Sequence, residues 1–208
     1  MKTIRYMGWI LCLLMVFGAA CRGTTPPMEF YTLNSEIETP ATAQVALADQ
    51  HLAIGVGPME IPKTIDRPQI VTRSSPNKLS VDEFHRWAGS LREDFLRVLS
   101  ANLSILLKTN RVATHPWEDY FKPTYRVILD VHQFDGSLGE QITLNVTWTI
   151  TGQEGRTALL VRKSMITQPV SGNDYEAFVA AKSRAIAGFS REIATEINVL
   201  HSKAGGNQ

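Results

Sequence analysis

The stretch QITLNVTWTITG, Gln141 to Gly152, decides the fold class. Ile142, Leu144, Val146, Trp148 and Ile150 fall at every second position, with Thr143, Asn145, Thr147 and Thr149 between them. A period of two sets the apolar residues on one face of an extended chain and the polar ones on the other. Such a strand lays one face on a core and turns the other to water, which is the habit of antiparallel sheets.

The flanking sequence repeats the signal. TYRVILDVHQFDGS (Thr124 to Ser137) alternates at its start through Tyr125, Val127, Leu129 and Val131, and Asp135-Gly136 reads as its turn. After a second turn at QEGR, ALLVRKSMITQPV (Ala158 to Val170) completes a predicted three-strand meander. Beyond it the period changes to that of a helix from Tyr175 to about His201, with Phe178, Ala181, Ala185, Phe189, Ile193, Ile197 and Leu200 on its core side.

Upstream, a second helix is expected from about 81 to 108. Ser80 and Glu83 have capping-box spacing, and Val81, Phe84, Trp87, Ala88, Leu91, Phe95, Val98, Leu99, Leu103 and Leu106 recur at helical intervals. Trp87 and Trp148 both sit on apolar stripes and read as core residues. FYTL (Phe30 to Leu33), HLAIGVGPMEIP (His51 to Pro62) and RPQIVTRS (Arg67 to Ser74) read as strands, with a turn at Ser75 to Lys78. The expectation is an α+β fold: an antiparallel β-sheet with two long α-helices packed on one face.

The first twenty residues carry Lys2 and Arg5, then an apolar run to Ala20 of about 14 residues, shorter than the roughly 20 a spanning helix needs. A basic start, a short apolar stretch and small residues at its end make a secretory signal peptide. Gly18-Ala19-Ala20-Cys21 resembles the bacterial lipobox, with Gly18 where leucine is usual. Cys12 lies inside the leader, so Cys21 would be the single cysteine of the mature chain and could form no disulfide within it. Acylation of Cys21, with palmitate or similar chains, gives that thiol a use, and several acyl chains together anchor stably. The alternative is an ordinary signal peptide with a cysteine near its cut. Residues 1–20 are thus expected as signal, 21–29 as a lipidated tether, 30–202 as one domain and 203–208 as a disordered tail. Arg22, where aspartate would mark inner-membrane retention in enterobacteria, favours the outer membrane, facing the periplasm.

Composition excludes several classes. Removing Lys2 and Arg5 from 21 basic residues leaves 19 against 20 acids, with no basic stripe for a phosphate backbone, so nucleic acid is not an expected partner. His51, His85, His115, His132 and His201 are scattered, without a metal-ligand pair. No nucleophile elbow, Walker loop or dinucleotide fingerprint occurs. The sequence is therefore read as no enzyme, with no catalytic residue, metal site or cofactor.

The GVGP-x-x-x-P strand end (Gly55 to Pro62), DRPQIV-x-R (Asp66 to Arg73), EF-x-RW (Glu83 to Trp87), FYTL after the cysteine, and the strands bearing Tyr125 and Trp148 together form an ordered set. This set resembles the ABC-type transport auxiliary lipoprotein family, the PqiC/YmbA-like proteins, over roughly residues 28–200. The resemblance implies a non-enzymatic, lipid-anchored component working with an MCE-domain protein and ABC permease and ATPase subunits in lipid traffic between two membranes, docking the system at the outer membrane. It also leaves room for self-assembly into a ring. Asp66, Arg67, Gln69 and Arg73 are candidate partner-binding residues. The competing reading makes Asp66 to Gln69 a plain connector, in which Pro68 fixes φ and Asp66 bonds the turn. A functional alternative is an envelope lipoprotein that assists assembly of an outer-membrane complex without handling lipid.

Overall fold

The computed structural model describes residues 26–38 and 52–205. At its centre lies β7 (Gln141–Thr151), whose apolar set is fully buried: Ile142, Leu144, Val146, Trp148 and Ile150 are each 0% exposed. β6 (Tyr125–Gly136) and β8 (Ala158–Pro169) flank it in antiparallel register, with Leu129 and Arg162 on either side of Trp148. The expected meander is therefore present. Its first turn lies at Ser137 to Glu140 rather than at Asp135-Gly136, both of which remain in β6 and buried.

The other edge of this sheet is parallel. β2 (Ile54–Glu60) sets Ile54 beside Tyr125 and Val56 beside Val127 of β6, and on its far side Ile54 beside Val112 of the short β5 (Val112–Thr114). The large sheet is mixed, in the order β5-β2-β6-β7-β8. β2 is buried on both faces from Ile54 to Gly57, as its unbroken apolar run would require. A smaller sheet, β1-β4-β3, holds β1 (Glu29–Tyr31) parallel to β4 (Lys78–Trp87), with the hairpin of β3 (Gln69–Ser75) and β4 turning at Ser75 to Lys78.

The segment from Lys78 to Trp87 corrects the expectation of a helix starting near 81. The register of β3 and β4 jumps from Val71↔Val81 to Gln69↔Arg86, so β4 bulges by three residues between those pairs. Within the bulge Asp82 accepts the amides of Phe84 (2.8 Å) and His85 (3.1 Å). The bulge spaces Val81, Phe84 and Trp87 by three, which imitates a helical stripe. The helix α1 is Leu91–Leu106, capped by Ser90, whose hydroxyl accepts the Glu93 amide, with Glu93 and Asp94 in the first turn where the helix dipole favours anions. Between residues 80 and 93 the S-x-x-E pattern occurs twice, ten residues apart, and the second copy starts the helix.

The last helix, α2, spans Tyr175–Gly205, three residues past the expected domain end at 202. Asp174 caps it by accepting the Ala177 amide at 2.7 Å. Of its expected core residues, Phe178, Ala181, Ala185, Phe189, Ile193 and Ile197 are buried, and Leu200 is half-buried at the edge of the core.

Edge-to-face ring contacts seat both helices on the sheet. Phe95 of α1 meets Phe134 of β6 at 5.4 Å, and Phe189 of α2 meets Trp148 of β7 at 5.8 Å. Phe134 pairs with Leu144, which is four residues from Trp148, so these contacts lie on the same side of the sheet. Between the helices the fully buried Asn102 donates to Ser190 (3.0 Å) and accepts from Ser35 (2.6 Å), tying the N-terminal strand exit to both. The fold is α+β, with Trp87 and Trp148 in its core.

Candidate functional site

The four residues singled out in the sequence separate into two environments. Asp66 follows β2 and receives the Arg92 guanidinium at 2.8 Å, which fastens this connector to the first turn of α1. Arg67 is exposed and donates Nε to Gln69 Oε1 at 3.1 Å; Gln69 in turn donates to Glu83 at 3.1 Å. Arg86 closes the chain on the same Glu83 carboxylate at 3.2 Å. The Gln69 hydrogen bond, followed by that of Arg86, holds the Glu83 carboxyl below its ordinary range. By register Phe30, Arg86 and Gln69 stand in one row across the three strands of the small sheet. The arrangement carries guanidinium groups able to meet a phosphate or carboxylate.

Arg73 does not join this surface. Its guanidinium turns inward to grip Asp135 of β6 with two bonds, Nε at 3.1 Å and an η-nitrogen at 2.7 Å, and it also donates to the Pro76 carbonyl. This pair bridges the small sheet to the large one. Asp135 is 4% exposed, and burial by itself would push its carboxyl up. The hydrogen bonds from Arg73 and Gln133, with the charges of Arg73 and Lys182, outweigh that effect and hold it below the usual range.

Lys182 is the residue that the sequence reading passed over. Placed two turns into α2, it is 2% exposed, surrounded by the rings of Phe134 (3.9 Å), Phe178 (5.3 Å) and Trp87 (5.7 Å), and it donates to the Phe134 carbonyl. Burial pushes its pKa down to about 7, with the Asp135 charge opposing. Its position on the buried stripe, one residue from Ala181 and four from Phe178, was the available signal.

A second feature, also missed, explains the GVGP stretch. Gly55 lies so close under Trp117 that a Cβ there would be 2.7 Å from the indole. Gly57 has φ +107° and would bring a Cβ within 2.9 Å of the His115 side chain, so position 57 demands glycine, while at 55 any larger residue would displace the indole. The Arg126 guanidinium lies over the Trp117 ring, 5.7 Å from its centroid, and donates to the Gln153 carbonyl. His115, Pro116 and Trp117 form the shared wall of two clefts. One, of about 530 Å³, opens toward Leu96, Tyr120 and Phe121, and the other, of about 280 Å³, toward Arg126 and Pro58.

His132 lies 2.8 Å from the Thr147 hydroxyl and 3.9 Å from Asp130, but on the open face of the sheet and outside both clefts. Among the described residues no three histidines, cysteines or carboxylates could share a metal ion, and no helix is long and apolar enough to cross a membrane. Cys21 lies outside the described residues.

The profile of the ABC-type transport auxiliary lipoprotein component family matches residues 31–194, most of the chain. Among solved structures, a DUF330-family protein from Xanthomonas campestris is 19% identical with a TM-score of 0.67, over 86% of this chain and 99% of its own. An uncharacterized protein has the same identity and TM-score over 83% of this chain and 99% of its own, so both share the fold. No curated protein sequence matches the chain. The domain carrying the Arg67–Glu83 surface, the Lys182 cage and the Trp117 clefts belongs to the ABC-type transport auxiliary lipoprotein family.

Proposed function

We propose that this chain is the lipid-anchored, periplasm-facing auxiliary component of an MCE/ABC-type intermembrane lipid transport system, docking that system at the outer membrane through Cys21. The family match over residues 31–194 carries the reading, and Cys21 stands ten residues before its start. The role is positional. Acyl chains hold the domain at the membrane, and its surfaces receive the rest of the machine, whose ATP is hydrolysed in another chain. Asp66, Arg67 and Gln69 belong to the exposed surface in this reading, and Arg73 supports it from inside through Asp135.

Capture of the native protein from gently solubilised membranes checks the reading. MCE-domain and permease subunits are expected to co-purify. Recovery of a β-barrel partner alone would instead favour an envelope-assembly lipoprotein that handles no lipid.

A further inference from the structure

The chain entering the domain is short, and it arrives on an apolar, exposed edge. From Cys21 to Glu29 the backbone can span at most about 25–30 Å. Met28 and Phe30 then stand 56% and 63% exposed, on and beside the outermost strand of the small sheet. Tyr31 points the other way, placing its ring 5.7 Å from His85 and 6.3 Å from Tyr175, and its partner Trp87 is buried. Phe30 therefore faces outward, in the row with Arg86 and Gln69, while Arg67 lies exposed beside them.

Exposed apolar side chains beside arginines suit the boundary of a bilayer. The apolar groups enter the edge of the acyl region, and guanidinium groups remain among the phosphates. Two exposed apolar side chains are few for a protein interface, which buries roughly 800 Å² on each partner. They suffice at a surface to which the chain is already covalently held, because the tether keeps the local concentration of lipid high.

We propose that the outer face of the β1-β4-β3 sheet lies on the phospholipid surface in which Cys21 is anchored, with Met28 and Phe30 at the acyl boundary and Arg67 and Arg86 on phosphates. This orients the domain, leaving Tyr120, exposed in the loop between β5 and β6, and Met165, exposed on β8, clear of the bilayer. It rests on the reading of Cys21 as acylated.

The processed, acylated chain has no free thiol, since Cys12 belongs to the leader. Met28→Cys, Phe30→Cys, Gln69→Cys, Tyr120→Cys and Met165→Cys variants can therefore each carry one fluorophore. The lipoprotein is placed in vesicles of phosphatidylethanolamine and phosphatidylglycerol containing a nitroxide-bearing lipid. Most of the fluorescence should be lost at 28, 30 and 69, and none at 120 and 165. Position 69 is decisive, because it lies two strands away from the tether. If the label there stays as bright as at 165, the domain swings freely and the proposal fails. It fails equally if position 69 is shielded only after a protein partner is added. Protein that does not float with the vesicles removes the anchor first, and this inference with it. With the label kept at 69, adding Phe30→Asp and Arg86→Glu should restore the fluorescence without changing the circular dichroism spectrum; quenching that persists contradicts the assignment of those two side chains.

Discussion

The stability of this protein is expected to rise between pH 7 and pH 10, and Lys182→Met should abolish most of that rise. Burial lowers the pKa of Lys182 from 10.5 to about 7, against the opposing attraction of Asp135. In the interval between those values the unfolded chain holds a proton that the folded chain has released. Stability then increases with pH, with a limiting slope of about 1.4 kcal/mol per pH unit for one proton. Below pH 7 the lysine is charged in both states, and the folded protein bears the full cost of the buried ammonium. The window ends near pH 10, because Tyr31, Tyr125 and Tyr175 have raised phenol pKa values and withdraw stability as the unfolded phenols ionise. Methionine has similar length and suits a cage of aromatic rings. At pH 7 the substitution is expected to stabilise by about 1–3 kcal/mol, less about 1 kcal/mol for the hydrogen bond lost at the Phe134 carbonyl. Urea unfolding at pH 7, 8, 9 and 10 checks this. A flat wild-type profile, or a Lys182→Met variant that keeps the slope, contradicts the assignment.

Asp135→Ala is expected to act in the opposite direction, lowering stability by about 3 kcal/mol at pH 7. Removing one partner of a buried ion pair costs about 3–5 kcal/mol, because the other charge is left without compensation. Arg73 softens the loss: its side chain is 29% exposed and keeps its bond to the Pro76 carbonyl. Lys182 has no such relief. It loses the carboxylate that favours its charged form, so the pH-dependent rise should begin lower in this variant. For a domain of this size the loss corresponds to a fall in melting temperature of about 6–12 °C. The carboxyl pKa of Asp135 is depressed in the folded state, so its stabilising effect is present above the unfolded value near 3.8 and disappears as pH falls through the folded one. Asp135→Ala should therefore also flatten the acid side of the stability profile. The double variant Asp135→Ala/Lys182→Met should lose less than the sum of its single effects, since the two groups face each other. Strict additivity, or a melting temperature unchanged by Asp135→Ala alone, argues against the buried network.

These groups mark where the sequence stops being legible. β8 buries Ser164 alone and leaves Val161 and Met165 exposed, whereas β6 and β7 could be read because each has one wet face and one dry face, and the period of two survives in the order of residues. The same holds for α2, whose stripe from Phe178 to Ile197 follows a single helical period. β4 could not be read correctly because its bulge spaces Val81, Phe84 and Trp87 like one face of a helix, and Ser80 with Glu83 completes a false cap. Parallel pairing of β2 with β5 and β6 leaves no local signature, being a choice among distant strands. The candidate surface was half legible. Arg67, Gln69, Glu83 and Arg86 do converge, but Arg73 finds its partner 62 residues away and serves the interior instead. Lysine is so rarely buried that Lys182 gave no warning beyond its place on an apolar stripe. Trp117 was invisible as a wall of two clefts because Gly55, the residue that admits it, lies 62 positions earlier.

The lipid anchor at Cys21 is the premise on which location, orientation and docking all depend. The intact mass of the protein taken from the membrane fraction tests it most directly. The expected result is a chain whose first residue is Cys21, with its mass increased by the acyl chains that residue carries. A chain that keeps residues 1–20, or one cut elsewhere with Cys21 present as a free thiol, would contradict it.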